Sequence, residues 1–376
     1  MTKGNFIKVS RQRAASGAVP SEERSDARGT KNIILAAGGT GGHVFTAIAI
    51  AEELQKRGYN ILFSTDKRGE KYLKDKSFTY KIITSGSPGG GIFTKLAVLA
   101  KLSTGVLQSF IYLAPKRPKL VIGFGGYPTF PPLIAARLLG IKTILHEQNS
   151  VLGKVNRVLA KSAAAVATAF PETKFATNPI YTGQPVRNAI TSSPYPATTD
   201  KIHILITGGS QGAKLFADIL PEALCQFADK ISVVHQVPDN KIAQVKKQYQ
   251  ACGIEFVIQS FFNDMQERLS AAHLLIARAG SATVFELATT GRPAIFVPLK
   301  IAADNHQFHN TEAICKSGGS WMIEEKDFNV TRVSAIIAQI LADPQKLTLA
   351  AENIKKFAKP NAASELADLA EKIINK

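Results

Sequence analysis

Residues 275–312, LIARAGSATVFELATTGRPAIFVPLKIAADNHQFHNTE, read as strand, glycine turn, helix, strand, and a polar loop running into a second helix. The apolar run Leu274 to Ala277 brings the backbone to the carboxyl edge of a sheet, and Gly280 permits a tight turn. Ser281-Ala282-Thr283 then opens a helix, whose unpaired N–H groups are a ready site for an anion such as a diphosphate. Glu286, expected on the first helical turn, can accept two hydrogen bonds from a ribose diol. An ordinary buried βαβ unit with a polar helix start fits the same pattern, so the rest of the chain must decide.

Outward from this stretch, short apolar runs alternate with helical segments. NIILAA, NILFST, YKIIT, KLVIG, TILH and AAVAT precede a Pro/Ser/Thr-rich segment, TSSPYPATTD at 191–200, after which the pattern restarts with HILITG, ISVVHQ, IEFVIQ, LLIA and AIFVP. Alternation of this kind predicts α/β architecture with parallel sheets covered on both faces. It divides the chain into a first domain, 31–186, and a second, 187–359. Leu366, Leu369 and Ile373 give the last helix, within 360–376, one buried face that is expected to return to the first domain. Residues 1–30 carry six Lys or Arg from Lys3 to Arg28 without periodicity and are expected to be a disordered basic extension.

With 376 residues, 45% of them hydrophobic, the chain can fill two ordinary cores. Its formal charge of +17 favours an acidic partner: a phosphate-rich ligand, an anionic membrane surface or nucleic acid. Nucleic acid is the weakest of these, because no zinc-finger spacing, RNP-type run or long basic helix is present. Cys225, Cys252 and Cys315 are far apart and odd in number, which argues against a disulfide framework or metal cluster and for a reducing cytosol. No run of about 18 uncharged apolar residues is present to span a bilayer, and the start lacks the apolar core of a signal peptide.

Four glycine-rich loops each follow a predicted strand: Gly38-Gly39-Thr40-Gly41-Gly42-His43, Gly123 to Tyr127, Gly208 to Gly212, and the turn at Gly280. Any one is readable as a plain turn; four at strand carboxyl ends point to anion cradles. The first is not a P-loop, since no Gly-Lys-Ser/Thr follows, and Val44 stands where a dinucleotide fingerprint wants a third small residue. Asp66 after the second strand keeps an NAD-linked oxidoreductase as a rival. The strand-Gly-Gly-helix openings LAAGGTGGHV and LITGGSQGAK also suggest a weak internal duplication, with the two ligand edges facing one cleft.

Taken together, GGTGGH (38–43), FGGYP (124–128), HEQNSVLGKVNR (146–157), GGSQGA (208–213), ARAGSATVFELA (277–288) and ADNHQ (303–307) resemble the MurG family of bacterial glycosyltransferases. The resemblance implies a GT-B fold, two Rossmann-like doubly wound parallel-sheet domains facing a cleft. It also implies transfer of N-acetylglucosamine from UDP-N-acetylglucosamine to an undecaprenyl-linked muramyl pentapeptide, with inversion, in peptidoglycan synthesis. On the family's pattern Arg187, Ser210, Phe262, Ser281, Ala282, Thr283, Glu286 and Gln307 bind the donor, and Thr40, Gly41, Gly42 and Asn149 reach its sugar side. Gly38, Gly39, Gly125, Gly126 and Tyr127 would form loops for the acceptor pyrophosphate. Phe262 stands where uracil is met mostly through backbone, so its side chain is equally readable as core.

Such chemistry needs a base for the acceptor hydroxyl and positive field for the leaving diphosphate. His43 is the first candidate for the base, with His146 and Glu147 as rivals; His146 also reads as an interior histidine. Helix N-termini and Arg187 supply the field, and no cofactor is required: there is no Asp-x-Asp or His cluster for a metal. A lipid-linked acceptor places the enzyme peripherally on the cytoplasmic face of the plasma membrane, where other cell-wall enzymes are possible partners. Residues 92–119 interleave Ile92, Phe93, Leu96, Leu99, Leu102, Val106, Leu107, Phe110 and Ile111 with Lys95, Lys101, Lys116, Arg117 and Lys119, as an interfacial helix on an anionic leaflet does. A core-facing helix with solvated lysines has the same pattern. The remaining rivals are a GT-B enzyme acting on another lipid such as a diacylglycerol, and a non-catalytic nucleotide or nucleic-acid binder.

Overall fold

Strands read as continuous apolar runs belong in parallel sheets buried on both faces, and they form two of them. The computed structural model describes residues 31–86, 92–197 and 200–376, except the side chains of 92–95 and 209–213. The expected basic extension, 1–30, lies outside the described residues.

The first lobe holds β1 (Asn32–Ala36), β2 (Asn60–Thr65), β3 (Thr79–Ile82), β4 (Leu120–Gly123), β5 (Thr143–Glu147), β6 (Ala165–Thr168) and β7 (Ile180–Tyr181). They pair in the order β3-β2-β1-β4-β5-β6-β7, all parallel. Helices α1 (Gly41–Lys56), α2 (Lys67–Glu70), α3 (Ile92–Leu113), α4 (Phe130–Leu138) and α5 (Lys154–Leu159) connect them. The second lobe holds β8 (Ile202–Thr207), β9 (Ile231–Gln236), β10 (Glu255–Gln259), β11 (Leu274–Ala277), β12 (Ala294–Phe296) and β13 (Trp321–Met322), in the order β10-β9-β8-β11-β12-β13. Its helices are α6 (Gly209–Cys225), α7 (Ile242–Ala251), α8 (Met265–Ala271), α9 (Ser281–Thr290), α10 (His306–Lys316), α11 (Val330–Ala342) and α12 (Gln345–Lys355). In both sheets the order reverses beside the first strand, the switch point at which open α/β sheets bind ligands.

The last helix, α13 (Ala362–Asn375), packs on α1, with Leu366, Leu369 and Ile373 buried among Ile33, Ile50 and Leu54 of the first lobe. Arg57 at the end of α1 fixes it by donating to Asp368 at 2.6 Å and Glu371 at 2.8 Å.

One reading from spacing fails. Cys225 and Cys252 form a disulfide with Cα atoms 5.4 Å apart: they close α6 and α7, which lie side by side, so distance along the chain did not report distance in space. The window Leu96–Leu113 of α3 is long and apolar enough to cross a membrane by length and composition. Yet one face of α3 is pressed onto the lobe: a Cβ at Gly105 would stand 2.1 Å from the Thr84 carbonyl, and Gln108 accepts from Thr84 N at 2.8 Å. The other face leaves Leu96, Leu99, Leu107 and Ile111 58–64% exposed. The side chains of Ile92, Phe93 and Lys95 lie outside the described residues.

Candidate active site

Between the lobes lies a cleft of about 1040 Å³, near the upper end of ordinary ligand sites. Two helix N-termini meet in it. A Cβ at Gly42, on the first turn of α1, would stand 3.6 Å from the Ala282 Cβ on the first turn of α9. Neither N-cap, Thr40 or Gly280, makes a side-chain capping bond, and neither first turn carries an acidic residue. The leading N–H groups of both helices are therefore open to an anion, with both dipoles favouring one.

The first glycine loop is shorter than its sequence suggests, because α1 begins at Gly41 and so takes in Gly41, Gly42 and His43. A Cβ at Gly41 would stand 3.2 Å from the rings of Phe45 and Tyr72, so any side chain there would have to push both rings back by a few tenths of an ångström. Gly38 and Gly39 do not line the cleft. Asp66 Oδ1 accepts from Gly39 N at 2.8 Å and Gly69 N at 3.0 Å, while Oδ2 takes Arg68 Nε at 2.8 Å. That occupation corrects two readings: Gly38 and Gly39 serve to turn the chain, and Asp66 caps a loop where a dinucleotide-binding acid would face a ribose.

His43 Nδ1 lies 3.2 Å from the Gly38 carbonyl and 3.2 Å from Thr40 Oγ1. A carbonyl only accepts, so Nδ1 carries the proton and Nε2 keeps its lone pair. Gly125 and Gly126, both at positive φ, pass over this ring: Cβ atoms there would come within 3.8 Å of Nε2 and 3.4 Å of Cε1. Burial lowers the His43 pKa below the ordinary 6.5, partly opposed by the negative charge of Glu147 and reinforced by His306 across the cleft.

On the other wall Arg187 donates to Glu286 Oε1 through Nε at 2.9 Å and pairs with it through Nη2 at 2.6 Å, and its guanidinium lies 4.8 Å over the Phe45 ring. Glu286 falls on the second turn of α9, one turn deeper than its spacing from Gly280 implied. Burial raises its carboxyl pKa, with Arg187 opposing. Phe262 is 3% exposed beneath the cleft, with the Arg268 guanidinium 4.9 Å from its ring, as a core side chain would be. Gln307 Oε1 accepts from Leu299 N at 2.9 Å, which fixes the amide so that Nε2 is its free donor, with one Oε1 lone pair left over. Ser281, Thr283 and Tyr127 line the cleft. Ser210 sits on the first turn of α6, its side chain outside the described residues.

The two rivals for the base are occupied elsewhere. Glu147 is 3% exposed, and its carboxylate accepts four bonds: Asn149 N at 3.0 Å and Nδ2 at 3.1 Å on Oε1, Gly153 N at 2.8 Å and Asn156 Nδ2 at 2.8 Å on Oε2. It shapes the 147–156 loop. His146 is fully buried against Phe124, bonds the Gly183 carbonyl through Nε2 at 3.0 Å, and has its pKa lowered by burial to about 4. It is an interior histidine outside the cleft.

Sequence reading missed Phe45 and Asn310. Asn310, 1% exposed, accepts from Ser150 N at 2.9 Å and donates to Asn149 Oδ1 at 3.1 Å, joining the lobes beside the cleft. Its place three residues after Gln307 on one helix face was the available signal. Among the described residues no three His, Cys, Asp or Glu side chains are grouped to hold a metal.

Two parallel-sheet lobes enclosing a cleft at both switch points define a fold of the GT-B glycosyltransferase type. Residues 33–168 match the glycosyltransferase family 28 N-terminal domain, and residues 203–372 the C-terminal domain of the same family. The UDP-N-acetylglucosamine–N-acetylmuramyl-(pentapeptide) pyrophosphoryl-undecaprenol N-acetylglucosamine transferase of Paramagnetospirillum magneticum is 41% identical, over 90% of this chain and 95% of that one. The Caulobacter vibrioides protein of the same name is 38% identical, over 91% and 99%. The crystal structure of Acinetobacter baumannii MurG superposes with a TM-score of 0.78 at 33% identity, covering 91% of this chain and 99% of that one. The calicheamicin glycosyltransferase CalG4, at 13% identity and a TM-score of 0.67 over 92% and 99%, shares the fold. The chain belongs to glycosyltransferase family 28 and, within it, to the MurG family of N-acetylglucosamine transferases.

Proposed function

We infer that this chain transfers N-acetylglucosamine from UDP-N-acetylglucosamine to the undecaprenyl-pyrophosphoryl-linked muramyl pentapeptide, the step its relatives are named for. The observation that carries the reading is the meeting of the α1 and α9 N-termini beside His43 on one wall and the Arg187–Glu286 pair on the other. Glu286 Oε2, not used by Arg187, accepts from the donor ribose. The α9 N–H groups hold the diphosphate, and Gln307 Nε2 with Asn149 orients the sugar. The acceptor hydroxyl attacks the anomeric carbon opposite UDP. As the new C–O bond forms, its proton passes to His43 Nε2, and the old C–O bond breaks with its electron pair leaving on UDP. Each helix N-terminus stabilises that growing charge by roughly 0.3–1 kcal/mol, up to about 2 when partly buried, while the Arg187 charge is largely balanced by Glu286. The reading asks for no metal cofactor.

The exposed apolar face of α3, flanked by Lys101, Lys116, Arg117 and Lys119, supports peripheral contact with the anionic cytoplasmic leaflet, where the acceptor resides. The test of the whole reading is UDP release by purified protein given UDP-N-acetylglucosamine and a short-chain lipid-linked muramyl pentapeptide. Release that requires both substrates is the expected result; no release from protein that binds the donor would assign another acceptor.

A further inference from the structure

We propose that Arg157 is a positioning residue which, from the first lobe, sets the 299–307 loop of the second lobe and so places Gln307 at the sugar end of the donor pocket. The proposal rests on reading the cleft as a UDP-N-acetylglucosamine site. Arg157 lies on α5, at the end of the loop that Glu147 organises, and donates through Nε to the Leu152 carbonyl at 2.6 Å. Its Nη2 crosses the lobe boundary to Asp304 Oδ2 at 2.6 Å, and its guanidinium stacks 4.1 Å from the Phe175 ring centroid.

The residues it meets share an unusual backbone. Phe175 at φ 65°, Asp304 at φ 52° and Asn305 at φ 53° are three of the five non-glycine residues with positive φ among those described. Left-handed backbone is unfavourable for residues bearing a Cβ and persists where surroundings impose it. Here Arg157 supplies the surroundings: it holds Asp304 by charge and Phe175 by stacking, from a position fixed by Leu152.

The consequence reaches the pocket through a short path. Asp304 and Asn305 turn the chain so that α10 begins at His306, which puts Gln307 on its first turn. Gln307 Oε1 then closes back on Leu299 N, which directs the remaining Nε2 donor to the ligand. Within the second lobe, Glu325 holds the same loop at Lys300 N, 2.8 Å away. Arg157 is the tie from the opposite lobe, so the sugar end of the site is complete only when the lobes are together. The nucleotide end, built by α9 and Glu286, does not depend on it.

UDP alone, which lacks the sugar, is therefore the control ligand. Wild type, Arg157→Met and Asp304→Asn would be titrated with UDP and with UDP-N-acetylglucosamine, and kcat and KM measured with both substrates. We expect the KM for UDP-N-acetylglucosamine to rise roughly tenfold, the scale of losing one charge-assisted hydrogen bond, with UDP affinity unchanged. The two substitutions combined should cost no more than either alone. Asp304→Gly, which takes the left-handed backbone freely, should recover part of the loss. Equal weakening of UDP and UDP-N-acetylglucosamine, or an unchanged KM in folded variants, would overturn the proposal. Wild-type protein that failed to bind the sugar nucleotide would instead overturn the functional reading beneath it.

Discussion

Arg187 meets Glu286 on the single oxygen Oε1, donating through Nε at 2.9 Å and pairing its Nη2 at 2.6 Å, and so leaves Oε2 unclaimed by the arginine. The pair joins the start of the second domain to α9, with Phe45 of the first lobe stacked on the arginine. Glu286→Gln would keep an acceptor for Arg187 and replace Oε2 with an amide donor. We expect KM for UDP-N-acetylglucosamine to rise roughly ten- to a hundredfold with kcat little changed. A 2′-deoxy donor, weak for wild type, should lose nothing further in the variant. Because burial raises the Glu286 carboxyl pKa, donor affinity should fall as pH is lowered towards that raised value, where the carboxyl takes a proton, and should be full above it. Titration calorimetry from below the ordinary carboxylate value of 4.5 upward reads this directly, and a flat profile would remove Glu286 from the ribose.

His43 should set the acid limb of turnover. Its imidazole pKa is lowered by burial, so kcat/KM is expected to hold at pH values where an unshifted imidazole would be largely protonated, and to fall only below the ordinary 6.5. His43→Ala should reduce kcat by roughly a hundred- to ten-thousandfold and abolish that limb, with UDP binding intact. The same shift has a stability sign. The fold disfavours the charged ring, so stability is lost as pH falls from 6.5 through the lowered value. A variant that kept wild-type turnover would leave His43 as an ordering residue of the loop.

The extent to which this was readable beforehand follows from locality. Ile33 to Ala36 and Leu274 to Ala277 announce themselves because parallel strands, buried on both faces, need unbroken apolar runs. The glycines at 125 and 126 are legible for a comparable reason, since their positive φ restricts residue type. The approach of Gly42 to Ala282 is not legible, because lobe packing sets it and neither residue's own conformation requires it. Roles assigned by residue type failed where a neighbour had already claimed the atoms: Asp66 by two backbone amides and His146 by Gly183. Residue types list what a side chain can bond to, while the fold decides which of those capacities remain.

Glu147 gives a prediction of a different kind from His43. Glu147→Gln would turn an amide towards Gly153 N or Asn156 Nδ2, setting donor against donor in a site 3% exposed. A loss of about 1–3 kcal/mol of stability is expected, with reduced activity and an acid limb that persists but moves to lower pH, because the Glu147 charge that raises the His43 pKa is gone. Denaturant unfolding together with a pH–rate profile separates the two roles. A normal unfolding midpoint with the limb erased would make Glu147 the base after all.

The α3 face tests the membrane reading without disturbing the cleft. Leu96, Leu99, Leu107 and Ile111 are 58–64% exposed, so replacing Leu99 and Ile111 with Ser removes apolar surface from water and not from the core. Stability should therefore change by no more than about 0.5 kcal/mol. If this face lies in the headgroup region, flotation with anionic phospholipid vesicles should drop sharply, and neutral vesicles should bind wild type poorly because Lys101, Lys116 and Arg117 then lack their counter-charge. Added salt should weaken the wild-type interaction through the basic residues, while the Ser variant remains weak at any salt. Turnover on a water-soluble acceptor should be unaffected by the substitutions and turnover on vesicle-borne acceptor reduced. Vesicle binding unchanged in the folded variant would return α3 to an ordinary surface helix and require the acceptor to reach His43 by another face.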